Sequence, residues 1–147
     1  MEISNQVIKI IEECEGFKSE AYLDEGGLPT IGFGTTRVNG QPVHMGMTCT
    51  REEAEEWIME HLNGELSSLQ KLITVDLNQN QLDAIADFAY NEGIGAFGGS
   101  TLLRRINSGD FDAAADQFSK WITCKGKILQ GLVKRRNLER TLFTTPV

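Results

Sequence analysis

Cysteine, histidine and long apolar runs are scarce in this chain, and each scarcity removes a class of explanation. The three cysteines, Cys14, Cys49 and Cys124, are an odd number with no CxxC pair. Reduced, mostly buried thiols are therefore expected rather than a disulfide scaffold. The two histidines, His44 and His61, stand far apart and away from the cysteines, so no zinc-ligand spacing exists and neither metal nor other cofactor is expected. No apolar run approaches the ~20 residues that a membrane-spanning helix needs, which argues against stable membrane insertion. The opening Met1-Glu2-Ile3-Ser4-Asn5-Gln6 has neither the basic stretch nor the apolar core of a secretory signal. The expectation is a protein made and kept in a cytoplasm.

What is present suits one globular domain. At 147 residues a chain can hide roughly 70% of the surface its unfolded form exposes, so no staple is required. The net charge of −7 argues against nucleic acid as the main partner. It also conceals an asymmetry: residues 1–100 carry 5 Lys and Arg against 17 Asp and Glu, whereas residues 101–147 carry 9 against 4. Two readings stay open for that basic part. It can face an anionic polymer, or it can dock against acidic helices of the same molecule.

Hydrophobic periodicity outlines the elements. Ile3, Val7, Ile8, Ile11 and Cys14 recur at helical spacing before Gly16, which places Glu15 in the last turn of a first helix. Residues 21–24 and 30–34 read as two strands flanking Glu25-Gly26-Gly27-Leu28-Pro29, a hairpin, with a third strand near Arg37-Val38. Thr50 and Glu53 form a capping box, opening one long helix over about 51–72. Asn78 caps a helix ending near Asn91-Glu92-Gly93, and further helices are expected over 101–106, 110–121 and 132–142, with 124–130 as a loop. The sum is an α+β fold.

Two places can carry chemistry. Glu15 extends the line Ile8–Ile11 toward the buried side and lies at the negative end of a helix dipole, a setting that suits a proton donor. The plain alternative is a solvated glutamate at a helix end. If the hairpin turn centres on Gly27, Asp24 and Thr30 oppose each other with Cβ atoms ~5 Å apart. A carboxylate and a hydroxyl so placed can hold one water, as inverting glycosidases require. A cross-strand Asp–Thr hydrogen bond that closes the turn would look the same in sequence.

Glu15 is followed by Gly16, eight residues separate Glu15 from Asp24, five more separate Asp24 from Thr30, and Thr30-Ile31-Gly32-Phe33-Gly34 follows. This pattern resembles the active-site signature of the phage lysozymes, glycoside hydrolase family 24. The resemblance continues through Leu77-Asn78-Gln79-Asn80-Gln81, Tyr90-Asn91-Glu92-Gly93-Ile94-Gly95-Ala96-Phe97, Ser100-Thr101-Leu102-Leu103-Arg104 and the stretch from Gly131 to Arg140. It implies a single lysozyme-like domain over 1–147: a small β-hairpin lobe over about 15–50, a linking helix over 51–72, and a larger helical lobe over 73–147 that includes the N-terminal helix. It further implies that Glu15 protonates the glycosidic oxygen, that Asp24 stabilises positive charge or acts as base, and that Thr30 holds the water. Thr36, Tyr90 and Ser100 correspond to the family's substrate contacts.

The activity so implied is hydrolysis of the β-1,4 bond between N-acetylmuramic acid and N-acetylglucosamine in bacterial peptidoglycan, by a monomer, with inversion. An endolysin of this kind is made in the host cytoplasm and reaches the periplasmic wall through a membrane lesion formed by a separate holin. A lytic transglycosylase, which leaves 1,6-anhydro ends, needs no Asp24–Thr30 water site. A catalytically silent wall-binding module would be expected to lack one of Glu15, Asp24 and Thr30, and none is lost. A chitin-specific hydrolase is a further alternative.

Overall fold

The computed structural model describes residues 1–147 and is α+β. No helix is long and apolar enough to cross a membrane. The chain divides into two compact units, Ile8–His61 and Met1–Val7 with Leu62–Val147. The boundary falls inside two helices, α1 (Asn5–Glu15) and α2 (Arg51–Leu72).

The smaller unit holds three features that position the candidate site. α1 buries Ile11 completely and stops where Gly16 N–H donates to the Glu12 carbonyl at 3.1 Å. Strands β1 (Lys18–Leu23) and β2 (Pro29–Gly32) pair antiparallel, followed by the short pair β3 (Arg37–Val38) and β4 (Gln41–Pro42). α2 opens on the expected capping box: Glu53 N–H donates to Thr50 Oγ1 at 3.2 Å, and Thr50 N–H to Glu53 Oε1 at 3.0 Å. Ala21, Ile31 and Val43 form the strand-side core, with Val38, Met47, Cys49 and Trp57 packed on it. Arg51 lies over both Phe17 and Phe33, its guanidinium carbon 5.8 Å and 5.2 Å from the ring centroids.

The larger unit is built around α3 (Gln79–Glu92). Its capping box joins Asn78 and Gln81 reciprocally, and every residue from Leu82 to Ala89 is buried. A helix buried on all sides belongs at the centre of its unit. Phe88 accordingly meets Phe97, Phe118 and Trp121 edge-on at 6.1, 5.9 and 5.2 Å. α4 (Ile94–Gly98) follows, then α5 (Thr101–Asn107). The helix expected over 110–121 is broken into α6 (Phe111–Ala115) and a 3-10 turn (Phe118–Lys120). That break turns Phe118 toward both Phe88 and Phe143. The loop expected over 124–130 is instead a hairpin, β5 (Thr123–Cys124) and β6 (Lys127–Ile128), because Lys125 and Gly126 both take left-handed φ values at its tip. α7 (Gln130–Thr144) closes the unit.

α7 packs on α3 through buried charges. Arg135 donates to Asp87 in a two-pronged pair, Nε to Oδ2 at 3.0 Å and Nη2 to Oδ1 at 2.8 Å. Arg136 binds Glu139 at 2.7 Å, Glu92 at 2.9 Å and Asn91 at 2.8 Å, and lies 5.0 Å over the Phe88 ring. Burial and the adjacent Asp87 carboxylate push Glu139 well above the usual carboxylate range. Burial alone would raise Asp87 too, but hydrogen bonds from Glu139 and Arg135 bring it below its ordinary value. The two carboxyls are thus tightly coupled, with Asp87 the more readily ionised of the pair. Of the two readings of the basic C-terminal part, docking describes Arg135 and Arg136.

The cysteines are thiols, each half-buried rather than enclosed.

Candidate active site

Glu15 is the last residue of α1 and is half-buried. Its carboxyl lies against the backbone just beyond β2. A β-carbon placed on Gly34 would stand 2.6 Å from Glu15 Oε2 and 3.0 Å from Cδ.

Asp24 and Thr30 are not directly opposed, which corrects the register expected from a turn centred on Gly27. Thr30 pairs with Tyr22, and Leu23 with Pro29. The reason is the loop chemistry. Asp24 N–H donates to the Leu28 carbonyl at 3.0 Å, and Gly27, with φ near +81°, closes a three-residue loop inside that pair. A left-handed residue at the end of such a loop adds one residue to one strand and moves the turn centre to Gly26.

The two residues are nevertheless joined, through Leu28. Asp24 Oδ1 accepts from the N–H groups of Gly26 and Leu28, both at 2.8 Å. Thr30 Oγ1 donates to the Leu28 carbonyl at 2.8 Å. The Leu28 main chain thus fixes the carboxylate with its N–H and the hydroxyl with its C=O. Thr30 is 3% exposed, and its committed proton leaves the oxygen to act as an acceptor.

Tyr22 was not singled out by sequence reasoning, and it belongs to this group. Directly opposed residues lie on one face of an antiparallel pair, so Tyr22 and Thr30 project together. Burial raises the Tyr22 phenol above its ordinary value, and the negative charges of Glu15 and Asp24 push it further. Both carboxylates therefore act on one ring. The sequence signal was weak: an aromatic two residues before Asp24, meaningful only once the register is known.

Thr36 is in the same unit, half-buried, its carbonyl accepting from Val43 N–H at 2.9 Å. Tyr90 lies near the end of α3 and Ser100 before α5, in the larger unit. Ser100 is a buried helix cap. Its hydroxyl donates to the Phe97 carbonyl at 2.7 Å and accepts from Leu103 N–H at 3.0 Å.

A carboxyl group at a helix end, with a second carboxylate and an acceptor hydroxyl on a neighbouring hairpin, is a set of groups that glycoside hydrolysis can use. Comparison with known proteins gives the family. The phage lysozyme family model matches residues 12–139. An endolysin of Salmonella phage P22 is 42% identical over 97% of this chain and 98% of its own length. An endolysin of Bacillus phage B103 is 41% identical over 99% of the chain, which spans only 55% of that relative. The solved endolysin from Escherichia coli O157:H7 phage FAHEc1 superposes with a TM-score of 0.88 at 37% identity, covering 98% of this chain and 94% of that one. The chain belongs to the phage lysozyme family, and with it to the peptidoglycan-degrading endolysins.

Proposed function

We propose that this endolysin cleaves the β-1,4 bond between N-acetylmuramic acid and N-acetylglucosamine by direct displacement with water. Glu15 gives its proton to the glycosidic oxygen as the bond to the anomeric carbon breaks, so the leaving sugar departs as an alcohol. A water held by Asp24 and Thr30 attacks the same carbon from the opposite face and passes its proton to Asp24. Exchange with solvent then returns the proton to Glu15.

The observation that supports this reading is the division of labour around Leu28. Asp24 Oδ1 is held by two amides and the Thr30 proton by a carbonyl. What each group has left to offer is an acceptor, Asp24 Oδ2 and the Thr30 oxygen. A water that donates to both keeps its own lone pair free for attack. Thr36 and Tyr90 contact the glycan. Ser100, whose hydroxyl keeps one acceptor position beyond its two cap bonds, contacts the glycan as well. The protein works as a monomer, is made in the host cytoplasm, and reaches the periplasmic wall after a holin opens the inner membrane.

Proton NMR of early product tests the displacement: the α anomer should appear first. The β anomer first, or 1,6-anhydro ends in the muropeptides, overturns it. Thr30→Val should lower the rate at least roughly tenfold, the kinetic equivalent of one hydrogen bond of about 1.4 kcal/mol. Glu15→Gln should cost ~10²–10⁴ with the fold intact.

A further inference from the structure

We infer that Gly34 is a positioning residue for Glu15: the empty space where its β-carbon would be is the seat of the catalytic carboxyl. The inference rests on the reading of Glu15 as the acid.

Nine glycines have left-handed φ values, and at seven of them an added β-carbon would meet nothing within 4 Å. Gly32 would meet the Ala54 side chain at 2.9 Å, which is core packing. Gly34 alone among the nine faces an ionisable side chain, at 2.6, 3.0 and 3.5 Å from three atoms of the Glu15 carboxyl. Its φ of +83° is therefore only half of the reason for glycine. Gly40, at φ +77°, shares the backbone conformation without the neighbour.

The wall that Gly34 provides is held in place. Ile31 and Thr35 exchange N–H···O=C bonds at 2.9 Å in both directions, closing Gly32-Phe33-Gly34 into a tight turn. Phe33 is 1% exposed, packs on Phe17 at 5.5 Å and lies under Arg51. A methyl group at Gly34 thus meets a braced backbone on its own side and the far end of a side chain on the other. The Glu15 carboxyl is the partner that moves. A reacting group displaced by about 1 Å can cost ~10² in rate, and nothing about substrate binding need change.

The experiment compares Gly34→Ala, Gly40→Ala and Glu15→Gln on two substrates. One is the natural glycan. The other is a peptidoglycan-derived oligosaccharide with 2,4-dinitrophenolate as leaving group, which departs without protonation. Gly34→Ala should lose about 10² in kcat on the glycan with KM within about threefold. On the activated substrate it should regain most of the loss, as Glu15→Gln should. Gly40→Ala should stay near the parent rate on both, with a melting temperature lowered as far as that of Gly34→Ala. A Gly34→Ala enzyme that keeps more than a third of kcat on the glycan overturns the inference. So does one slowed equally on both substrates while Glu15→Gln shows the leaving-group dependence. If Glu15→Gln is itself slowed equally on both, the reading of Glu15 as the acid is what fails.

A second variant covers the case in which Gly34→Ala does not fold. D-Alanine at position 34 accepts positive φ without strain and puts its methyl in place of the other hydrogen, not at the point 2.6 Å from Glu15 Oε2. A synthetic 1–48 segment can be ligated to 49–147 at Cys49 to install it. Activity should stay within about threefold of the parent; a loss of 10² overturns the inference.

Discussion

Arg135→Met removes one guanidinium from the contact between α3 and α7 while keeping the unbranched stem. Arg135 is 3% exposed and Asp87 0%, so the carboxylate left behind has no access to water. Two hydrogen bonds, at 3.0 and 2.8 Å, disappear with the charge. Breaking a buried pair from one side costs about 3–5 kcal/mol. For a domain of this size that lowers the melting temperature by about 10–15 °C. The double variant Asp87→Leu/Arg135→Met leaves no carboxylate at position 87 but also takes from the buried Glu139 its hydrogen-bond partner, so it should recover part of the loss. Calorimetry on the two variants measures both effects. A binding isotherm on purified cell walls, taken at a temperature where each is folded, should be unchanged. A single variant costing under about 1 kcal/mol, or a double no better than the single, would refute the account of the pair. Weaker wall binding by folded Arg135→Met would return this arginine to the anionic-polymer reading.

Glu139→Gln isolates the raised member of that coupled pair. Because burial raises Glu139, its stabilisation is complete below the ordinary glutamate range and fades as pH rises through the raised value. Asp87, lowered, contributes above the ordinary aspartate range and is lost toward acid. Urea melts from weakly acidic to alkaline pH should therefore decline less for Glu139→Gln than for the parent, and parallel curves would contradict the assignment. Asn78→Ala should cost α3 its capping box, about 0.5–2 kcal/mol by the same melts. Changing the exposed Lys120, Lys125 and Lys127 together to glutamine should weaken wall binding and flatten its salt dependence. The melt should move little, since surface changes of this kind usually stay within about 0.5 kcal/mol each.

The starts of α2 and α3 are legible in the sequence because their caps are local. Thr50 with Glu53, and Asn78 with Gln81, announce themselves within four residues. Spacing and the family signature single out the two carboxylates and Thr30 as candidates, but their mutual geometry is not legible. A register set by one left-handed glycine in the hairpin loop cannot be read from the strands it connects. Tyr22 and Gly34 stay hidden for a related reason, since each acquires meaning from a residue in another element. The basic C-terminal part misleads in the opposite direction. Arg135 and Arg136 look like surface charge until α3 supplies Asp87 and Glu92 as partners.

The contact between α3 and α7 also bears on when the protein becomes a protein. Asp87 and Arg135 are separated by 48 positions, and neither tolerates a dry interior without the other. While the chain is being synthesised, the carboxylates of α3 must stay hydrated until α7 has emerged, and the apolar side of α3 stays open with them. Docking of α7 is thus a late event that brings charge neutralisation and closure of the Phe88 cluster together. Chains interrupted before Gln130 are left unable to complete the larger unit.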